Sequence, residues 1–229
     1  MQRKSDPAGS VSRAVYFIII LFAFFAVFNA VPSYLYLTSA ISLDTLNFLF
    51  TAAMSLSFSA AAITYLKFVE RGRKGVAQRL GLGARALTAS SIGFGLFLFL
   101  IIFSLEVLTG LVSSTTGTAI STNVSLVFAG APVWFLIFAA VVAPINEEIL
   151  FRGLMVPRLG IFASALIFAI PHLTYDSTFA IEFIAAFIFG ILAGYVFKRT
   201  GSLYSSITAH MLVNTLSIIS TFALLAWVL

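Results

Sequence analysis

A few polar side chains lie inside long apolar stretches in the C-terminal half of the chain. They are Asn146, Glu147, Glu148, Arg152, His172, His210 and Asn214, and they include both histidines of the protein. Carboxylate and imidazole groups exchange protons near neutral pH, and histidine and asparagine can donate hydrogen bonds to a developing negative oxygen. The set therefore indicates acid–base chemistry of the kind that a hydrolase uses.

Spacing groups these residues into helical pairs, because side chains four positions apart share a helix face. Three such pairs occur, namely Glu148 with Arg152, Phe168 with His172, and His210 with Asn214. Glu148 can neutralise Arg152, while Glu147 points about 100° away around the helix and stays free. We expect structural roles for the ion pair and for Phe168, and a chemical role for Glu147.

The elements that position these residues must lie in lipid. Of the 229 residues, 61% are hydrophobic and only 9% are charged, a balance that a water-soluble domain could not tolerate. We expect one membrane domain, residues 1–229. The formal charge of +5 comes from cations in short loops between apolar runs, so membrane topology explains it and nucleic acid is not an expected partner.

Six runs are long enough to span a bilayer, which takes about 20 apolar residues. They are 14–38, 45–66, 87–112, 126–157, 179–197 and 203–228. The shorter run 161–171 predicts a broken or half-length helix, which becomes a seventh crossing if residues 172–178 complete it. The sequence thus predicts an all-α polytopic bundle of about seven transmembrane helices.

The distribution of charge supports this count, because Lys and Arg accumulate in cytoplasmic loops. With seven crossings, every basic residue except Arg152 falls on one face, and the opposite face carries a Ser/Thr-rich loop at 113–125. We expect a cytoplasmic N-terminus. Two glycine patterns, Gln78–Gly83 before the third span and Gly190 with Gly194 in the sixth, predict a membrane-face anchor and a close helix contact.

Depth also groups the candidate residues. At about 1.5 Å per residue, Glu147, His172, His210 and Asn214 lie roughly 15 to 20 Å from the cytoplasmic ends of their helices. A polar network that only links helices would explain these residues without chemistry. Lipid penalises ionisable groups unless something uses them, so we favour a functional site.

A zinc site is the main chemical alternative. Glu147, His172 and His210 could be ligands around an open position, as in an intramembrane metalloprotease. Zinc hydrolases commonly take two ligands from one helical turn, and Asn214 is a poor zinc ligand. The chain has no cysteine, which excludes thiolate ligands. We therefore expect no metal and no other cofactor.

Three motifs resemble those of the CAAX protease and bacteriocin-processing (Abi) family of intramembrane glutamic endopeptidases, in particular the type II CAAX prenyl endopeptidases. They are Glu147-Glu148-Ile149-Leu150-Phe151-Arg152, Phe168-Ala169-Ile170-Pro171-His172 and His210-Met211-Leu212-Val213-Asn214. Their order is that of the family, and the resemblance covers a catalytic core at residues 125–220. Some members of the family have eight crossings.

The resemblance implies roles for the site residues. Glu147 and His172 would activate a water molecule, and His210 with Asn214 would form the oxyanion hole, with Glu148, Arg152 and Phe168 in support. The substrate would be a peptide or a prenylated protein within membrane lipid, and the small size favours a prokaryotic plasma membrane.

Two other functions stay open. One is a proton-coupled transporter that uses the same carboxylates, although the paired broken helices typical of transporters are missing from the first half of the sequence. The other is a catalytically silent immunity or chaperone-like membrane protein. A silent relative is expected to have lost part of the catalytic set, and this chain retains all of it.

Overall fold

The structure, a computed structural model, describes residues 7–72, 74–116, 130–173 and 179–228. These residues are helical or lie in short connections, with no strand among them, so the predicted all-α class is confirmed. The chain divides into two compact units, Met1–Val76 and Ala77–Leu229, and each is described by itself.

The first unit is a helical hairpin. Helix α1 spans Pro7–Leu37, and α2 spans Leu43–Thr64 and continues into a π-helical turn, Tyr65–Val69. Ser42 caps α2, because its hydroxyl oxygen accepts the backbone N–H of Thr45 at 3.2 Å, which satisfies one otherwise unpaired donor. The rings of Phe17 and Tyr65 meet edge to face with centroids 5.6 Å apart. This hairpin contains none of the predicted site residues.

The second unit carries every predicted site residue. Its elements are α3 (Val76–Arg79), a 3₁₀ turn (Ala84–Ala86), α4 (Ala89–Thr116), the long α5 (133–159), the short α6 (161–169), a 3₁₀ turn (Ile170–His172), α7 (Phe179–Thr200) and α8 (Leu203–Val228). Helix α4 continues to Thr116, so the loop predicted at 113–125 starts later than expected, because Ser and Thr hydroxyls are compatible with a terminal helical turn. The rest of that loop lies outside the described residues.

The chain reverses direction at Gly160. Its backbone has φ 85° and ψ 171°, a conformation that only glycine adopts readily. The hydroxyl of Ser164 donates to the carbonyl of Phe151 at 2.7 Å, although residues 13 apart in one straight helix lie about 20 Å from each other. Helix α6 therefore runs back along α5 and is followed by the 3₁₀ turn that contains His172, and the predicted short broken helix near 160–171 is confirmed.

Helix α5 is widened at two places. The stretches Phe138–Val142 and Ile149–Met155 are π-helical. Pro144 and Pro157 have no N–H to donate to the carbonyl four residues earlier, and each proline follows a widened stretch closely. Such widened turns often occur at functional sites, and here the second one starts directly after Glu148.

Six helical stretches are long and apolar enough to cross a membrane, within the described part of the chain. They are Ser12–Leu37, Leu43–Val69, Ala89–Leu108, Val133–His172, Phe183–Thr200 and Leu203–Ala223. The fourth is 40 residues long and contains the reversal at Gly160, so the six stretches include seven helical segments. The protein is a multi-pass integral membrane protein, and its N-terminal orientation and single-domain organisation stay predictions.

Candidate active site

Two adjacent carboxylates of α5 have different surroundings. Glu148 is fully buried, and its Oε1 lies 2.7 Å from Nη1 of Arg152, which is also buried. The predicted ion pair is therefore confirmed. Glu147 points to another side of the helix, and its side chain is 23% exposed. The widened backbone between Glu148 and Arg152 still allows the pair to form across one turn.

His210 reaches both carboxylates from α8. Its Nδ1 lies 2.9 Å from Glu148 Oε1, and its Nε2 lies 3.8 Å from Glu147 Oε2. Sequence reasoning placed His210 at the same depth as Glu147 but missed its hydrogen bond to Glu148. No signal in the sequence distinguishes the two carboxylates as partners, because 62 residues separate His210 from Glu148.

The bond to Glu148 restricts the proton positions of His210. An ionised carboxylate only accepts hydrogen bonds, so Nδ1 carries a proton in this contact. A neutral imidazole has one N–H, which leaves a lone pair on Nε2. His210 can therefore donate from Nε2 only in its doubly protonated form, and otherwise it accepts there.

Aromatic rings enclose the buried end of Arg152. Its guanidinium carbon lies 4.2 Å from the ring centroid of Phe168 and 5.0 Å from that of Phe189, a cation–π arrangement. The ring of His210 contacts the same two phenylalanines, with centroids 5.7 and 5.0 Å apart. Phe168 thus does more than the packing we expected of it, and Phe189 is a site residue that the sequence analysis missed.

A small-residue pattern could have pointed to Phe189. A Cβ at Gly190 would lie 2.8 Å from Cβ of Ala165, and one at Gly194 would lie 3.0 Å from a methyl carbon of Ile161. The predicted close helix contact is therefore confirmed, between α6 and α7. Phe189 is adjacent to Gly190, so the close approach of α7 to α6 also places Phe189 near the site.

His172 lies directly after α6, in the 3₁₀ turn Ile170–His172, which also contains Pro171. Its Nδ1 is 3.2 Å from the carbonyl oxygen of Phe168, and the two rings are 5.2 Å apart. Within the described ranges, no hydrogen bond joins His172 to Glu147. Their pairing around a water molecule stays a prediction.

Asn214 lies one turn beyond His210 on α8. Its Nδ2 donates to the carbonyl oxygen of Ala139 on α5 at 2.9 Å. An amide nitrogen has two N–H groups, so this contact uses one of them and orients the other. The oxyanion role predicted for Asn214 is compatible with this geometry and is not tested by it.

Among the residues that the structure describes, no three His, Asp or Glu side chains are arranged as a metal site. The expectation that neither zinc nor another cofactor takes part stays a prediction.

Comparison with known proteins matches the chain to a protein family and to a curated relative. Residues 129–216 match the family model described as type II CAAX prenyl endopeptidase Rce1-like. The uncharacterized protein YpbD of Bacillus subtilis (strain 168) is 31% identical over 88 residues, which cover 38% of this chain and 46% of that protein. The chain thus aligns with less than half the length of this curated relative. No solved structure gives a significant match.

The matched residues include all three motifs and every side chain of the site described above. The family that the motifs suggested is the one whose model residues 129–216 match.

Proposed function

We propose that this protein is an intramembrane endopeptidase of the CAAX protease type. The main support is one arrangement: a partly exposed Glu147 lies beside His210, and a buried pair, Glu148 with Arg152, holds that histidine. A carboxylate next to an oriented imidazole is suited to moving protons during hydrolysis. The Rce1-like match over the same residues supports the same reaction.

In the proposed reaction, Glu147 accepts a proton from a water molecule while the water oxygen attacks the carbonyl carbon of the peptide bond. His172 assists in orienting this water. The carbonyl oxygen becomes negative in the tetrahedral intermediate. Glu147 then gives its proton to the departing nitrogen as the C–N bond breaks, which yields a carboxylic acid and an amine and returns the site to its starting state.

His210 and Asn214 are the proposed donors to the negative oxygen. His210 can donate from Nε2 when both of its ring nitrogens are protonated, because Nδ1 is bound to Glu148. Asn214 contributes its remaining amide N–H.

The proposed substrate is a peptide or prenylated protein that lies in the membrane, and no metal or cofactor is used. The proposed location is a prokaryotic plasma membrane with the N-terminus in the cytoplasm, since the loop cations then lie inside.

The test uses full-length protein purified in detergent and a panel of peptides, each made with and without a prenyl group. We expect cleavage of at least one peptide, with a higher kcat/KM for the prenylated form. The same preparation of Glu147→Gln is the matched control for contaminating proteases. Folded wild-type protein that cleaves no peptide of either kind would contradict the proposal.

A further inference from the structure

Residues 80–86, here called the strap, lie between α3 and α4 and are bound to residues 202–204, where α8 begins. The backbone N–H of Leu203 donates to the carbonyl of Gly81 at 3.0 Å. The hydroxyl of Tyr204 donates to the carbonyl of Leu82 at 3.1 Å, and that of Ser202 donates to the carbonyl of Ala86 at 2.7 Å. Three separate hydrogen bonds therefore hold the strap along its length.

Gly81 allows the closest part of this approach. Its φ is +75°, and a Cβ there would lie 2.6 Å from the carbonyl oxygen of Gly201 and 2.9 Å from the ring of Phe197. Any other residue would be strained in its backbone and would also clash. The glycine that sequence analysis assigned to a membrane-face anchor is thus required by packing within the second unit.

Leu80 brings the strap against the helix that carries the carboxylates. Its side chain is 1% exposed, and a Cβ at Gly153 would lie 2.8 Å from one of its methyl carbons. Gly153 directly follows Arg152, and the neighbouring Leu154 and Leu203 are also buried. An apolar layer therefore closes this end of the site.

The layer lies close to the site. Gly153 is five residues from Glu148, and Leu203 is seven residues from His210, which correspond to about 8 Å and about 10 Å along a helix. Glu147, in contrast, is partly exposed. The site is therefore accessible at Glu147 while the strap is in place.

We infer that the strap is a fixed closure, which stays shut throughout turnover, so that the peptide reaches Glu147 from a side other than the Leu80 end. This inference rests on the proposed peptidase function. Opening the strap would break its three hydrogen bonds and expose Leu80, whereas the Glu147 side is open without any such change. The strap lies outside the residues that match the Rce1-like family model.

A disulfide can lock the strap, because the chain has no cysteine of its own. A Cβ at position 153 would lie 3.6 Å from Cβ of Leu80, within the range that disulfides need. The Leu80→Cys/Gly153→Cys variant is oxidised, its cross-link is verified by mass spectrometry, and its peptidase activity is compared before and after reduction. Each single-cysteine variant, treated with the same oxidant, is the control.

We expect the cross-linked protein to keep at least about half the activity of its reduced form, since no gate has to open. A loss of about 10-fold or more on cross-linking, with recovery on reduction, would overturn the inference. A wild-type protein that cleaves no peptide would instead refute the peptidase function, so the two failures are distinguishable.

A second measurement applies even if the double variant does not fold. A thiol in Leu80→Cys should react with a maleimide at least about 10-fold more slowly than one at the exposed Arg85→Cys, because it reacts only when the strap opens. Adding a cleavable peptide should leave this rate unchanged. Equal rates at the two positions, or faster labelling during turnover, would show that the strap opens.

Discussion

The two sides of α5 at the site differ, although Glu147 and Glu148 are adjacent and identical in type. On one side Glu148 is fully buried and bound to Arg152 and His210. On the other side Glu147 is 23% exposed, and its Oε2 lies 3.8 Å from Nε2 of His210. A buried carboxylate with bonded partners, such as Glu148, is suited to a structural role. A partly exposed carboxylate without such bonds, such as Glu147, is suited to a chemical role.

His210 connects the two sides. Its ring binds Glu148 through one nitrogen and presents the other nitrogen towards Glu147. The structural side therefore determines which nitrogen of His210 is available for chemistry. Substitutions on the two sides should separate activity from stability, and the predictions below test this separation.

The largest effect is expected from Glu147→Gln. Removal of the proposed base should lower kcat by about 10² to 10⁴-fold, while the thermal midpoint in detergent stays close to that of the wild type. The matched control is Glu106→Gln, at an exposed glutamate of α4 outside the site, which should keep full activity. Turnover at the wild-type rate in Glu147→Gln would show that Glu147 is not the base, and the proposed difference in role between Glu147 and Glu148 would then be wrong.

A smaller loss is expected from Asn214→Ala. Loss of one oxyanion donor should lower kcat by about 10² to 10³-fold with little change in KM, because the bond strengthens only in the transition state. Steady-state kinetics with a cleaved peptide measure both constants, and Asn47→Ala, at an exposed asparagine of α2, is the control. A rise in KM at constant kcat would assign Asn214 to substrate binding instead.

Glu148→Gln should act mainly on stability. It leaves the buried guanidinium of Arg152 without its partner, which costs about 3 to 5 kcal/mol for a buried pair, so the thermal midpoint in detergent should fall clearly. The pair leaves Glu148 Oε2 and Arg152 Nη2 without hydrogen-bond partners among the described residues. Replacing both residues, as in Glu148→Leu/Arg152→Met, should therefore recover much of the lost stability. A Glu148→Gln protein as stable as the wild type would contradict the structural role.

The smallest effect is expected from metal removal. Because the proposed chemistry uses only side chains, prolonged treatment with a strong chelator should leave peptidase activity unchanged, and active protein should contain well under about one zinc per chain. Activity and metal content are measured on the same samples. If activity is lost and only added zinc restores it, Glu147, His172 and His210 would be zinc ligands. The proposed roles of the two carboxylates would then be wrong.

Features that depend on neighbouring positions in the chain could be predicted from the sequence. The apolar runs predict the membrane helices, the spacing of Glu148 and Arg152 predicts their ion pair, and Gly190 with Gly194 predicts a close helix contact. For the two spaced pairs, the periodicity of one helix fixes which side chains share a face. The membrane helices and the short helix before His172 follow instead from the lengths of their apolar runs.

Contacts between distant segments were decided by the tertiary structure. The bond from His210 to Glu148 joins residues 62 apart, and that from Tyr204 to Leu82 joins residues 122 apart. The cation–π contact of Arg152 with the ring of Phe189 also depends on how α7 packs beside α5. A sequence fixes the faces of each helix, but the rotation and crossing of packed helices depend on how all their side chains fit together, and that fit determines which carboxylate His210 binds.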